Sequence, residues 1–511
     1  MNSNQNLASQ APNKMLFVAC FMSIVTTSFS FILRALTLPQ WEADFNLTKT
    51  QVGEIAGVGL WPFAISIVLF SLIIDRVGYK NSMIFAFICH VSSAAITFFA
   101  DGYTMLYIGT FIMALGNGTV EAVANPAVAS MFPKAKTKWL NFLHAGWPAG
   151  LVLGGILALV MGPEVHWKLK VILVLIPAVT YAIIMIPHKF PVNERVSAGV
   201  SYLDMLKEVG VGGALIIVAL IVFQMGSVFG WSTTMNVSIT LVIVGIFGFY
   251  VRSFGQPLFI IMLLIMLPLA ITELGTDSWI ADLMAPEMTK VGLQAGWILV
   301  YTSIIMVALR FSAGKIIHRI TPLALLAACS TIAAIGLFLL SGSSGVMVLV
   351  AATIFGLGKS FFWPTMLGVV AERFPKGGAL TLNIAGGVGM IGAGVIGAVI
   401  LGFFQDKTTD TSLKQYDAVN KTELHSTYVT EEKRSIFGDY RSVNLAKLAQ
   451  APENDKQSVT TIQDGAKKTA LRYVAWFPVL MLVCYVLLMI YFKSKGGYKA
   501  VVLPGSHPAK E

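Results

Sequence analysis

Residues 116–150 read GNGTVEAVANPAVASMFPKAKTKWLNFLHAGWPAG. An apolar helix carrying Glu121 among glycines is followed by the Phe132-Pro133 break, a basic turn, and a second helix that opens with Asn141 and His144. Burying an unpaired carboxylate in hydrocarbon is costly, so Glu121 is expected to face a protein interior or a wet cavity and to have a polar partner. The plainer alternative is a hydrogen bond that locks two neighbouring helices. A shift of 242 residues lays the same frame on the chain a second time. It carries Leu115-Gly116 onto Leu357-Gly358, Phe132-Pro133-Lys134 onto Phe374-Pro375-Lys376, Leu140-Asn141 onto Leu382-Asn383 and Gly150 onto Gly392. Ungapped matches spread in this way mark a duplication. Glu121 falls on Trp363, so the scaffold occurs twice and its carboxylate once.

The 511-residue chain is 56% hydrophobic and 12% charged, outside the range of soluble globular domains. Apolar runs recur from Met15 nearly to the C-terminus, each long enough as a helix to cross a hydrocarbon core of roughly 30 Å. Continuous runs, rather than short alternating ones, argue against a membrane barrel. The expected class is an all-α, multi-pass membrane protein embedded in a lipid bilayer. Its net charge of +10 is scattered among loops instead of forming one basic domain, which argues against nucleic acid. Lys134, Lys136 and Lys138 share one loop, Arg76 and Lys80 another, Lys189, Arg195 and Lys207 a third, and Lys493, Lys495 and Lys499 follow the last helix. All four fall on one side if the N-terminus is cytoplasmic, as the positive-inside rule requires, although Lys49, Lys168 and Lys170 lie near outer ends. Both termini are therefore expected on the cytoplasmic side of the cytoplasmic (inner) membrane. The polar N-terminal residues lack a cleavable signal pattern, so the first helix is expected to direct its own insertion.

Cys20, Cys89, Cys329 and Cys484 all lie in apolar segments and read as packing residues. There is no nucleotide-binding loop, HExxH or Cys/His metal spacing. Neither an enzyme nor a metal or cofactor is expected, and an ion or solute gradient must supply any energy used.

Helix 1 is expected over about 15–38, with Arg34 near its outer end, and helix 2 over about 52–74. Helix 2 ends in the turn Asp75-Arg76-Val77-Gly78-Tyr79-Lys80, a candidate gating loop in which Asp75 pairs with arginine or caps a helix. Six helices fill 1–187. Residues 188–255 hold a cytoplasmic connector, in which Tyr202–Lys207 reads as a short surface helix, and two inserted helices at about 211–230 and 237–251. The second, at about 15 residues, is short for a span. A second six-helix set fills 256–492. Within it Glu273 and Asp277 read as solvated helix-end acids, Lys359 as a cation worth following or a snorkelling one, and His318-Arg319 as the counterpart of Asp75-Arg76. Residues 405–469 form a polar outer loop, part folded over the mouth and part disordered, and 493–511 a cytoplasmic tail.

The Asp75–Lys80 turn and the duplicated six-helix set resemble the major facilitator superfamily. Leu38-Pro39-Gln40, Glu121 with Asn125-Pro126, and Leu140-Asn141 resemble its fucose-permease branch in particular. The resemblance covers twelve helices in two six-helix bundles and implies a site between the halves; with the two inserted helices the expected total is fourteen. It also implies that Glu121 takes part in sugar recognition or proton coupling and that Asn141 shapes the site. The chain departs from the branch where an acid is expected before the LPQ turn: Ala35 stands beside Arg34. An arginine in helix 1 with a glutamate in helix 4 is similar instead to organic-anion and sugar-acid symporters, in which arginine engages a carboxylate.

The expected function is a secondary transporter, monomeric, that moves a small sugar or sugar derivative by alternating access with a proton. Glu121 would exchange the proton beside Arg34. Asn125, Asn141, His144, Trp147, Trp363 and Asn383 would offer hydrogen bonds and aromatic faces to a hydroxylated ring. A sugar-acid or organic-anion symporter, a drug-efflux carrier and a non-transporting nutrient sensor are the alternatives.

Overall fold

The computed structural model describes residues 13–503 apart from positions 163, 291, 318 and 436–437. The described residues include fourteen helices long and apolar enough to cross a membrane. Helix α1 (Lys14–Asp44) opens where the Asn13 side chain accepts the Leu16 amide at 3.0 Å, and it runs through Pro39 to the buried Trp41 instead of ending at Leu38. Next come α2 (Gln51–Val77), α3 (Tyr79–Phe98), α4 (Tyr103–Met131), α5 (Lys136–Met161) and α6 (Trp167–Met185). Helix α2 is interrupted at Gly59-Leu60, just before Pro62.

Glycine sets how closely α2 and α4 approach. A Cβ on Gly118 would lie 2.1 Å from the Phe63 carbonyl oxygen, and Ser66 donates to the Leu115 carbonyl at 2.8 Å. The obstacle is backbone, which cannot swing away. Gly118→Ala is therefore expected to destabilise the protein by about 1–3 kcal/mol, the usual cost of overpacking, read from thermal unfolding in detergent.

The inserted pair is longer than its apolar runs. Ser201 caps α7 (Tyr202–Phe229), so the expected surface helix over Tyr202–Lys207 is its first turns, with a bend at Gly210, where φ is +56°. Only glycine fits there, because a Cβ would lie 2.1 Å from the Gly255 amide. Ser232 caps α8 (Thr233–Val251), which recruits the polar turn and brings a helix expected at about 15 residues to 19. Leu241, Val242, Ile246 and Phe249 of α8 are exposed, as lipid-facing residues are. Helix α7 lies against the second half and α8 packs chiefly on α7.

Helices α9 (Pro257–Ser278), α10 (Trp297–Ile317), α11 (Pro322–Gly342), α12 (Met347–Arg373), α13 (Pro375–Asn420) and α14 (Glu453–Ser494) follow. Two of them carry π-helical turns, Ile271–Gly275 in α9 and Gly392–Gly397 in α13, and these meet at Gly275 and Gly397. The acids expected to be solvated are not. Glu273 and Asp277 are 2% and 6% exposed, because the chain continues helically from Thr276 to Lys290 beyond them.

The polar segment 405–469 is folded in its described residues. Helix α13 extends to Asn420, a two-stranded antiparallel hairpin follows (β1 Glu431–Ser435, β2 Gly438–Ser442, with Glu431 opposite Ser442), and α14 begins at Glu453, well before its apolar part. Leu413, Leu424, Tyr428, Val429, Val443, Leu448 and Val459 form a core of its own. The apolar residues are too sparse to read as a core in sequence, and the fold gathers them. Glu287, on the continuation of α9, pins this knob: it accepts Lys468 at 2.7 Å, Lys290 at 3.1 Å and the Gly345 amide at 3.2 Å. Burial pushes the Glu287 carboxyl up, but Lys468, Lys290 and the Gly345 N–H outweigh it and hold it at about 2, below the ordinary 4.5. A depressed carboxylate contributes stability above the ordinary value and loses it as pH falls towards the depressed one. Hydrogen-exchange protection at the start of α14 should therefore weaken between about pH 4.5 and about pH 2, and Glu287→Gln should remove that pH dependence.

Candidate functional site

Proline defines the centre of the molecule. A proline has no N–H, so the carbonyl four residues before it in a helix loses its donor. Pro126 frees the Ala122 carbonyl, Pro148 that of His144 and Pro364 that of Ser360. Each is taken up by a side chain of the second half. Asn383 donates to Ala122 at 3.0 Å, and Arg310 donates through Nη1 to His144 and through Nε to Ser360, both at 2.6 Å. Two of these three bonds bridge the halves.

Arg310 also donates through Nη2 to Glu273 Oε1 at 2.7 Å, with both side chains almost fully buried. The other oxygen of Glu273 accepts the Trp363 amide at 3.1 Å. That amide lies in the first turn after the Ser360-Phe361 break, where helix N–H groups have no partner of their own. One turn along α9, Asp277 pairs with Lys359, which is fully buried and does not snorkel. Four charges in apolar helices thus form two neutral pairs.

Glu121 is different. It is 3% exposed and its Oε2 accepts Asn125 Nδ2 at 2.6 Å. The Asn125 carbonyl oxygen in turn accepts His144 Nε2 at 2.8 Å, leaving that nitrogen 3.9 Å from Glu121. No lysine or arginine among the described residues pairs with Glu121. Between these two systems lies a small cavity, walled by Glu121, His144, Trp147, Glu273, Leu274, Arg310, Trp363 and Met390.

The structure brings together Glu121, Asn125, His144, Trp147 and Trp363 of the residues expected at a site. It does not bring Arg34 to Glu121. Arg34 lines a separate cavity with Trp41, Ser93 and Thr110, its guanidinium 5.4 Å from the Phe31 ring and against Gly59. Asn141 donates to the Thr137 carbonyl at 2.9 Å and to Thr365 Oγ1 at 3.2 Å, and Asn383 holds Ala122, so both tie helices together instead of lining the cavity. On the face with the basic loops, Asp75 pairs with Arg195 of the connector, Arg76 and Arg319 are exposed, and His318 lies outside the described residues. The halves meet there through other groups: Lys136 donates to the Ala371 carbonyl at 3.2 Å while also pairing with Glu194 of the connector at 2.5 Å, and Thr137 Oγ1 donates to Glu372 at 2.5 Å. Arg310, Glu273, Asp277 and Lys359 are not among the residues expected at the site. Their signal is nonetheless present: acids four residues apart share one helix face, and two cations sit in apolar segments of the same half.

Duplicated six-helix sets around a buried polar cavity define a multi-pass solute carrier. The sequence profile of the Major Facilitator Superfamily matches residues 15–279, and the chain belongs to that superfamily of transporters. It is 23% identical over 173 residues to the cis,cis-muconate transport protein of Acinetobacter baylyi, covering 34% of this chain and 42% of that one. It is 28% identical over 133 residues to the L-fucose-proton symporter of Escherichia coli, covering 25% and 30%. The matches thus span less than half the length of these curated relatives. In three dimensions the solved E. coli fucose:proton symporter superposes with a TM-score of 0.56 at 15% identity, over 91% of this chain and 98% of that one. A human organic anion transporter superposes at 0.60 with 11% identity, over 93% and 100%. At these identities the likeness is one of fold.

Proposed function

We propose that the protein carries a small hydroxylated solute, a sugar or sugar derivative, across the cytoplasmic membrane by alternating access, coupled to a proton that Glu121 takes up and releases. The observation that carries this reading is the setting of Glu121: a buried carboxylate on the cavity wall, held by Asn125 and paired with no lysine or arginine among the described residues. Such a group is stable as a neutral acid when sealed and ionises readily when water reaches it, which is the cycle a proton carrier needs. Trp147 and Trp363 supply flat apolar faces, and His144, Asn125 and Arg310 supply polar groups around them. Rocking of the two halves would break the Arg310–His144 and Asn383–Ala122 bonds on one side of the cycle and remake them on the other. The basic loops place both termini in the cytoplasm in this reading.

The test is uptake into proteoliposomes containing the full chain, with labelled L-fucose, D-glucose and D-gluconate and with a pH gradient imposed or collapsed. Uphill accumulation that follows the acid side is expected for at least one solute. Uptake that ignores the gradient for every transported solute would remove the proton role.

A further inference from the structure

We infer that the solute carries a carboxylate, and that Arg310 is the residue that receives it. This rests on the transport reading above and adds the chemical class of the cargo. A guanidinium has five N–H bonds. Arg310 commits three, to Ser360, His144 and Glu273, which leaves one on each terminal nitrogen with no acceptor among the described residues, in a residue that walls the cavity. Two such bonds on adjacent nitrogens suit the two oxygens of a carboxylate and are poorly used by a single hydroxyl. The guanidinium is also held at a fixed place by two proline-freed carbonyls, so little ordering is needed when a ligand arrives.

Charge explains the proton. Glu121 on α4 and Glu273 on α9 face the cavity, Arg310 on α10 is the single guanidinium there, His144 on α5 donates to Asn125, and the Asp277–Lys359 pair beyond is neutral. A solute carboxylate would be the third anion around one cation. Glu273 is already neutralised by Arg310, so Glu121 is the acid that must hold a proton while the anion is bound. Anion and proton then enter together, because binding both leaves the net charge of the site where it stands with Glu121 ionised and no solute, whereas the anion alone would add a second unpaired negative charge. A neutral sugar would impose no such requirement.

The experiment measures binding, not transport: quenching of intrinsic tryptophan fluorescence in the purified full-length protein, since Trp147 and Trp363 wall the cavity. The probes are D-gluconate, D-glucuronate and L-lactate against D-glucose and glycerol. At least one acid is expected to bind tenfold or more tightly than its neutral counterpart, and more tightly as pH falls. Glu121→Gln should keep the acid preference and lose its pH dependence, and Arg310→Lys should cut the preference for acids over the neutral probes tenfold or more. The wild-type comparison needs no variant, so it stands even if Arg310→Lys does not fold. Equal binding of acids and neutral probes, or an unchanged acid preference in folded Arg310→Lys, would overturn the assignment. Uphill uptake of a neutral sugar with no acid preference would overturn it and leave the proton-coupled reading intact, whereas loss of gradient dependence in the uptake assay would strike that reading instead.

Discussion

Proteoliposomes containing Glu121→Gln are expected to lose uphill uptake driven by a pH gradient while retaining exchange of labelled for unlabelled solute. Glutamine keeps the size of the side chain, and its amide oxygen can still accept the Asn125 amide that Glu121 accepts at 2.6 Å. The Asn125–His144 contact and the cavity wall are then preserved, and what is removed is the ability to gain and lose a proton. One pH unit is worth about 1.36 kcal/mol, enough for roughly tenfold accumulation in a one-proton symport. That factor should fall to one in the variant. Gradient-driven accumulation at the wild-type level would show that the coupling proton travels elsewhere.

Arg310 and Glu273 yield the second large effect. Arg310→Met leaves a carboxylate in the protein interior, and Glu273→Leu leaves a guanidinium there. Breaking a buried pair from one side costs about 3–5 kcal/mol, because the remaining charge is uncompensated. The double variant removes both charges at once and should recover much of that loss, giving a non-additivity of about 2–3 kcal/mol between the two sites. Recovery should be incomplete, since Arg310 also holds His144 and Ser360 and Glu273 also holds the Trp363 amide. Unfolding of the single and double variants in detergent measures it. Strict additivity would mean that the two side chains do not act as a pair. Transport should be absent even where stability returns, since the cavity then lacks its cation.

Much of the molecule is legible in the amino-acid sequence. Apolar run length is a local property fixed by bilayer thickness, so the helices can be counted, and the repeat that carries Leu140-Asn141 onto Leu382-Asn383 marks two related halves. Helix ends are less legible, because capping decides them. Ser201 and Ser232 extend α7 and α8 into residues that look like loop. Within the site, Glu121, Asn125, His144, Trp147 and Trp363 can be read because a polar or aromatic group in an apolar helix is conspicuous from its own segment. Arg34 is just as conspicuous, yet it faces another cavity. The direction in which a side chain points depends on helix rotation, which sequence spacing does not fix between separate helices.

The sequence by itself determined a duplicated, multi-pass helical protein with one carboxylate deep in its fourth helix. Tertiary structure alone decided which charges meet. Glu273 and Asp277 look like solvated helix ends until α10 and α12 bring Arg310 and Lys359 against them. The reason is that desolvation and pairing are properties of two groups at a distance of a few ångströms, and the partners here lie 37 and 82 residues apart in the chain. The prolines belong to both levels. Their positions are written in the sequence and free three carbonyls wherever the helices pack, but only the packed halves supply Asn383 and Arg310 to claim them.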